Sequence, residues 1–160
     1  MSDTLWPIFD RFPALAALPR VTLRAAPTPV AHLESISPRL WIKRDDLTAP
    51  AMGGNKIRSL EFLLGGVRRG SRIVTAGARG STHALSTGIH ARALGARTTV
   101  AWWPQEMNDV ATEVARRLDE ETDRKRFPNA PLAIAWLAWR KWRGDVVIPA
   151  GGTSPLGILG

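Results

Sequence analysis

The chain has 160 residues, 44% hydrophobic and 22% charged, with a formal net charge of +8. That length and balance suit one soluble domain with a real core. The absence of cysteine excludes disulfides and thiolate chemistry, and no apolar run approaches a membrane span. The charge by itself points to nucleic acid. Arginine outnumbers lysine 18 to 4, however, and both are spread along the chain among acids, so a nucleic-acid partner is not expected. MSDTLWPIFDRFPAL has acids and prolines and no long apolar run, unlike a secretory signal, which leaves a cytoplasmic protein as the expectation.

Residues 1–38 carry prolines at 7, 13, 19, 27, 29 and 38. Such a segment cannot form a long helix and reads as an arm with short turns, leading into a short helix from about Val30. The α/β domain is expected over 39–160. Arg39 to Asp45 is a predicted strand, followed by a turn through Asp45, Asp46, Thr48 and Pro50. Paired aspartates invite a metal, but aspartates in a loop beside Arg44 ordinarily cap backbone amides, and no metal site is expected.

The segment AMGGNKIRSLEFLL, Ala51 to Leu64, opens a helix predicted over Lys56 to Arg69. Ile57, Leu60, Leu63, Leu64 and Val67 share one face, and Gly65 and Gly66 interrupt it. Gly53 and Gly54 make a turn, and Asn55 is a good N-cap type. Lys56 then lies in the first turn, where the helix dipole disfavours a cation. A lysine desolvated there is a strong nucleophile; the alternative is an exposed lysine beside a turn, and local physics leaves both open.

Ser71 to Gly77 reads as a buried strand, Gly77 to Thr87 (GARGSTHALST) opens a helix that Gly95 ends, and Arg97 to Trp103 is the next strand. Strand, helix and strand within about thirty residues predict a right-handed βαβ unit and a parallel sheet, with ligands at the carboxyl ends of its strands. Ser81, Thr82 and His83 stand at the helix start, where free amides take carboxylate or phosphate, or where a hydroxyl merely caps. His83 and His90 lie seven apart without a third ligand at a sensible spacing, so zinc is not expected. No G-x-S-x-G elbow supports a serine hydrolase.

A third helix is predicted from about Asn108 or Asp109 to Arg117. The charge run Asp119 to Arg126 reads as a solvated face or an exposed link. A helix follows from Leu132 to Arg143, with Trp136, Trp139 and Trp142 at i+3 steps. Packing with snorkelling arginines is its ordinary role, base stacking or membrane contact the alternative. Asp145 to Ile148 reads as a strand and Pro149 to Gly160 as a glycine-rich exit.

Three blocks, KRDDLTAPAMGGNKIRSLEFLL, TAGARGSTHALSTGIHARALGA and IPAGGTSPLGILG, resemble the 1-aminocyclopropane-1-carboxylate deaminase and D-cysteine desulfhydrase family. These are pyridoxal 5′-phosphate enzymes of the tryptophan-synthase-β-like type, fold type II. The resemblance implies an α/β, parallel-sheet βαβ domain forming an incomplete fold-type-II enzyme. It implies that Lys56 is the Schiff-base lysine and Ser81 a catalytic partner that orients the substrate carboxylate. Asn55, Thr82 and His83 join Lys56 as cofactor-binding residues. The implied reaction is deamination or desulfhydration of a small amino acid, releasing ammonia and a keto acid.

Departures accompany the match. The family loop usually reads Ser-Asn-His, followed by a polar or basic residue and glutamine; here Thr82 replaces the asparagine, and Leu85 and Ser86 stand where arginine and glutamine are usual. The interval after Trp103 is short by about one β-α unit, as a deletion near Arg117 to Asp123 would make it. Gly160 falls near the middle of the family pattern, before the phosphate loop, the partner of the pyridine nitrogen and an active-site tyrosine; this chain contains no tyrosine. The expectations are therefore an inactive remnant or interaction module as the alternative to an enzyme, and self-association, including homo-oligomers, through surfaces left uncovered. AGGTSPLG has the glycines of a phosphate nest, but no helix-forming run follows it.

Overall fold

The computed structural model describes residues 8–25 and 27–160. Residues 1–7, Pro7 among them, and residue 26 lie outside the described residues. The arm begins with a single turn, α1 (Ile8–Arg11), and a 3-10 turn at Pro13–Ala17. It then runs alongside the domain rather than away from it. Val21 N donates to the Glu61 carbonyl (2.9 Å), and Phe9 meets Phe62 edge-on at 6.5 Å.

The predicted helix from Val30 is instead a strand, β1 (Val30–His32), antiparallel to β2 (Trp41–Lys43). Pro27 and Pro29 favour extended backbone before it, and the β-branched Val30 suits a strand. His32 stacks on Trp41 at 4.3 Å across the pair. Val30, Trp41 and Ile42 are exposed, as are the neighbouring Ile36, Leu40 and Leu47.

Helix α2 (Lys56–Leu63) stops one turn earlier than its apolar face suggested. Gly65 explains the stop: a Cβ there would lie 2.1 Å from the Pro19 carbonyl oxygen, so the arm crosses where a helix would continue. Next come β3 (Arg72–Ala78), α3 (Thr82–Ala93) and β4 (Arg97–Trp103). β3 and β4 pair in parallel over their whole length, from Arg72↔Arg97 to Ala78↔Trp103. The predicted βαβ unit is therefore the centre of the fold.

Helix α4 (Asp109–Glu121) starts at the Asn108 cap, whose side chain accepts from Ala111 N at 2.8 Å. It continues into the charge run. The rest of that run is not a link but β5 (Asp123–Arg126), paired with Thr99 to Trp102 of β4. DRKR has no apolar alternation to announce a strand. It occupies the free edge of β4 because α4 returns the chain there, and charged residues on an edge discourage further pairing. Helix α5 (Ala130–Trp142), capped by Asn129, leads to β6 (Val146–Val147), and the sheet order is β5-β4-β3-β6.

Side chains alternate across this sheet as parallel strands require. Ile73 packs with Leu60, Leu64, Ala91 and Ile148, and Val100 with Ala84, Leu85 and Leu118. On the opposite face Val74, Ala76 and Ala101 meet Ala133 and Leu137 of α5. The tryptophans of α5 divide. Trp136 packs against this second cluster and Phe127, whereas Trp139 and Trp142 are exposed, Trp142 by 80%. Among the described residues, no helix is long and apolar enough to cross a membrane.

Candidate active site

The turn carrying Lys56 is built by close backbone packing. A Cβ on Gly53 would lie 2.0 Å from the Asp46 carbonyl oxygen, so the glycine turn and the Asp45–Leu47 turn sit back to back. Gly54, at φ +123, donates its N–H to the Asp45 carbonyl (2.7 Å) and to Thr48 Oγ1 (2.9 Å). Thr48 Oγ1 in turn donates to the Asp45 carbonyl at 2.8 Å. Asn55 has helical backbone angles and makes no side-chain cap bond, so its expected capping role is not taken up.

The paired aspartates are anchors of this turn. Arg58 bonds Asp45 at 2.7 Å, and Arg44 bonds both Asp46 oxygens at 2.7 and 2.8 Å. Those guanidinium hydrogen bonds hold both carboxyls below their usual range. Among the described residues no three His, Cys, Asp or Glu side chains converge as a metal site.

Lys56 is half-buried, and its side chain has no hydrogen bond or ion pair among the described residues. Its charge reaches His83 on α3. Ser81 is the N-cap of α3, accepting from Ala84 N at 3.3 Å. It sits directly over β3, because a Cβ on Gly77 would come within 2.6 Å of Ser81 Cβ and Oγ. The first-turn amides of a helix have no partners within it, so those of Thr82 and His83 are available beside the Ser81 hydroxyl. The Thr82 side chain is exposed.

His83 is 4% exposed, with Nε2 3.1 Å from the Pro149 carbonyl. A carbonyl only accepts, so Nε2 carries the proton and Nδ1 is an acceptor. Nδ1 is buried and without a hydrogen-bond partner among the described residues. Burial, then the Lys56 charge, push the imidazole down to about 4, with the Pro149 bond opposing. His83 is therefore a neutral tether, locked between α3 and the glycine-rich exit; Gly152 leaves so little room that a Cβ would sit 3.3 Å from His83 Cε1.

His90, two turns along α3, repeats the device: its Nε2 lies 3.1 Å from the Met52 carbonyl, in the loop that leads to Lys56. The two histidines thus pin two different loops to one helix. Their spacing was visible in the sequence, but the acceptors are backbone carbonyls, which carry no sequence signature. Glu61 was also missed. It is 1% exposed and accepts from Leu23 N (2.9 Å) and Arg24 N (3.0 Å), with Arg24 Nε at 2.6 Å. It fastens the arm to α2, close to the lysine turn.

The exit segment does not form an open cradle. Gly151 and Gly152 have φ of +69 and +76, but Gly152 N donates to the Pro149 carbonyl and Gly157 N to Ser154 Oγ. A Cβ on Gly160 would fall 1.9 Å from the Arg58 carbonyl oxygen, so the segment closes down on α2. The structure thus brings Lys56 and His83 within electrostatic reach and joins His83 to the exit. Among the described residues, Asn55 and Thr82 make no side-chain hydrogen bond that would draw them in.

No family model matches the chain. It is 38% identical over 161 aligned positions to a Pyrococcus horikoshii protein assigned as a 1-aminocyclopropane-1-carboxylate deaminase, covering 93% of this chain and 50% of that protein. It is 36% identical to a D-cysteine desulfhydrase of Salmonella newport (91% and 50%) and to the nocardicin C-9′ epimerase of Nocardia uniformis subsp. tsuyamanensis (89% and 47%). The crystal structure of an ACC deaminase homologue superposes with a TM-score of 0.75 at 33% identity, covering 92% of this chain and 49% of that one. The chain thus spans about half the length of the relatives it matches. By sequence and by fold, the chain is related to the 1-aminocyclopropane-1-carboxylate deaminase and D-cysteine desulfhydrase family over about half of its members' length.

Proposed function

We propose that the chain carries the lysine wall of a pyridoxal 5′-phosphate site, of the lyase type that deaminates or desulfhydrates a small amino acid. The observation that supports this best is Lys56 itself: a half-buried amine without a partner among the described residues, on a turn braced from both sides. Of the other three lysines, two are engaged elsewhere and Lys141 is exposed. Lys43 Nζ donates to the Thr28 carbonyl, and Lys125 lies over the rings of Phe127 and Trp136.

The residues present fit the group in part. Lys56 Nζ would hold the cofactor, and as a free amine it would carry protons at the substrate. The cofactor, when bound, supplies an electron sink beside the substrate α-carbon. Ser81 Oγ and the first-turn amides of α3 suit a substrate carboxylate, since a helix N-terminus favours an anion. His83 is buried and neutral, so its part is to hold the α3 terminus against the exit. Thr82 is the nearest replacement for the family asparagine and has the shorter reach. A phosphate cradle is not supplied by the exit segment, whose glycines are turned to internal bonds and to α2. Weak cofactor binding by the chain alone follows from that, and full turnover requires further groups for the phosphate.

Titrating the protein with pyridoxal 5′-phosphate and recording visible absorbance, with Lys56→Ala as control, tests the reading. It expects a saturable band that the variant loses. Superimposable spectra for the two proteins would overturn it and favour a remnant without cofactor.

A further inference from the structure

At the amino ends of the central strands β3 and β4, two arginine-bearing turns are locked side by side. Gly70 N donates to the Gly95 carbonyl (2.9 Å), and Arg97 N to the Ser71 carbonyl (3.0 Å). Gly95, at φ +75, gives Arg69 its place: a Cβ there would fall 2.9 Å from Arg69 Cγ. The parallel register sets Arg72 beside Arg97 on adjacent strands, which lie about 4.8 Å apart. Like charges paired in this way destabilise a sheet unless something offsets them.

Arg72 has a counter-ion in Asp145 at 3.1 Å, which Arg140 also engages. Arg69 and Arg97 have no carboxylate partner among the described residues. With Arg72, Gly70 and Gly95 they border a cleft of about 430 Å³. Arg92 on α3 is already taken by Glu121 at 2.9 Å. Asp119, Glu120, Glu121 and Asp123 line a neighbouring cleft that Arg97 also borders. The cleft holding Arg69, Arg72 and Arg97 is therefore cationic and only partly neutralised.

We propose that this cleft binds a small polyvalent phosphate of the pyrophosphate type. Planar guanidinium groups match phosphate oxygens in pairs, with charge-assisted bonds. One such ligand bridges Arg69 and Arg97 and relieves the Arg72–Arg97 repulsion. The site is separate from the one near Lys56. It stands at the amino ends of β3 and β4, and seven-residue strands place about 20 Å between the two ends of the sheet.

Calorimetric titration of the whole chain with inorganic pyrophosphate, at ionic strength held constant with chloride, tests this. Arg97→Gln and Arg69→Gln are each expected to weaken binding about tenfold, the effect of one charge-assisted bond. Arg39→Gln removes the same charge at an exposed position away from the cleft and leaves the affinity unchanged. Lys56→Ala does likewise, which separates this site from the cofactor reading. Equal weakening by Arg39→Gln and the two cleft variants would show a diffuse charge effect and overturn the proposal, as would unchanged affinity in the cleft variants or the absence of binding.

Discussion

Protonating His83 should weaken the fold as pH falls from 6.5 to 4. The imidazole lies at about 4 in the folded chain against 6.5 as its ordinary value, mainly through burial. Because the folded value is depressed, the folded state prefers the neutral ring. The associated stability is fully present above pH 6.5 and is lost as pH falls, because the unfolded chain takes up the proton first. A difference of 2.5 units between those two values corresponds to about 3 kcal/mol, lost between pH 6.5 and 4. That is a large share of the 5–15 kcal/mol typical of a domain. The lowered aspartates Asp45 and Asp46 act below this window. His83→Gln keeps a donor near the Nε2 position for the Pro149 carbonyl but cannot titrate. Urea unfolding followed by tryptophan fluorescence, repeated from pH 7 to 4, should show the parent losing about 3 kcal/mol more than the variant. Parallel curves for the two proteins would refute the buried neutral tether.

Glu61→Ala removes one partner of a buried ion pair and leaves the Leu23 and Arg24 amides without their carboxylate acceptor; a loss of about 3–5 kcal/mol is expected, with faster proteolysis of the arm as the check. His90→Leu cuts the Met52 tether at a cost of about 1–3 kcal/mol, and hydrogen exchange should rise in residues 50–56 before it rises in β3. Gly77→Ala places a methyl where Ser81 sits and is expected to cost about 1–3 kcal/mol, while lowering the visible cofactor signal more than His90→Leu does. Unchanged urea midpoints for these three variants would contradict the packing described.

The central βαβ unit was legible because its signals are local. Ile73 to Gly77 form a buried run that is apolar but for Thr75, Ser81 can cap at once, and Gly95 can take the positive φ that ends α3. Asn108 and Asn129 cap α4 and α5 through side-chain bonds that their residue type announces. The rest depended on partners distant in sequence. Val30 to His32 became a strand because Trp41 to Lys43 lies opposite, and DRKR became a strand because β4 had a free edge. Lys56 and Ser81 are candidates named by family resemblance, with the glycine turn as local support. The roles of His83, His90, Thr48 and Glu61 as fasteners could not, since three of the four bond backbone groups alone. Asn55 shows the converse: a good capping residue left idle because Gly54 and Thr48 complete the turn without it.

The central claim is that Lys56 is the residue prepared for pyridoxal 5′-phosphate. The chain has four lysines, Lys43, Lys56, Lys125 and Lys141, so selectivity can be counted directly. Incubation with the cofactor, reduction with borohydride, digestion and mass spectrometry should place the phosphopyridoxyl group on Lys56 well ahead of the other three. Label spread evenly over the four lysines, or absent from Lys56, would contradict it.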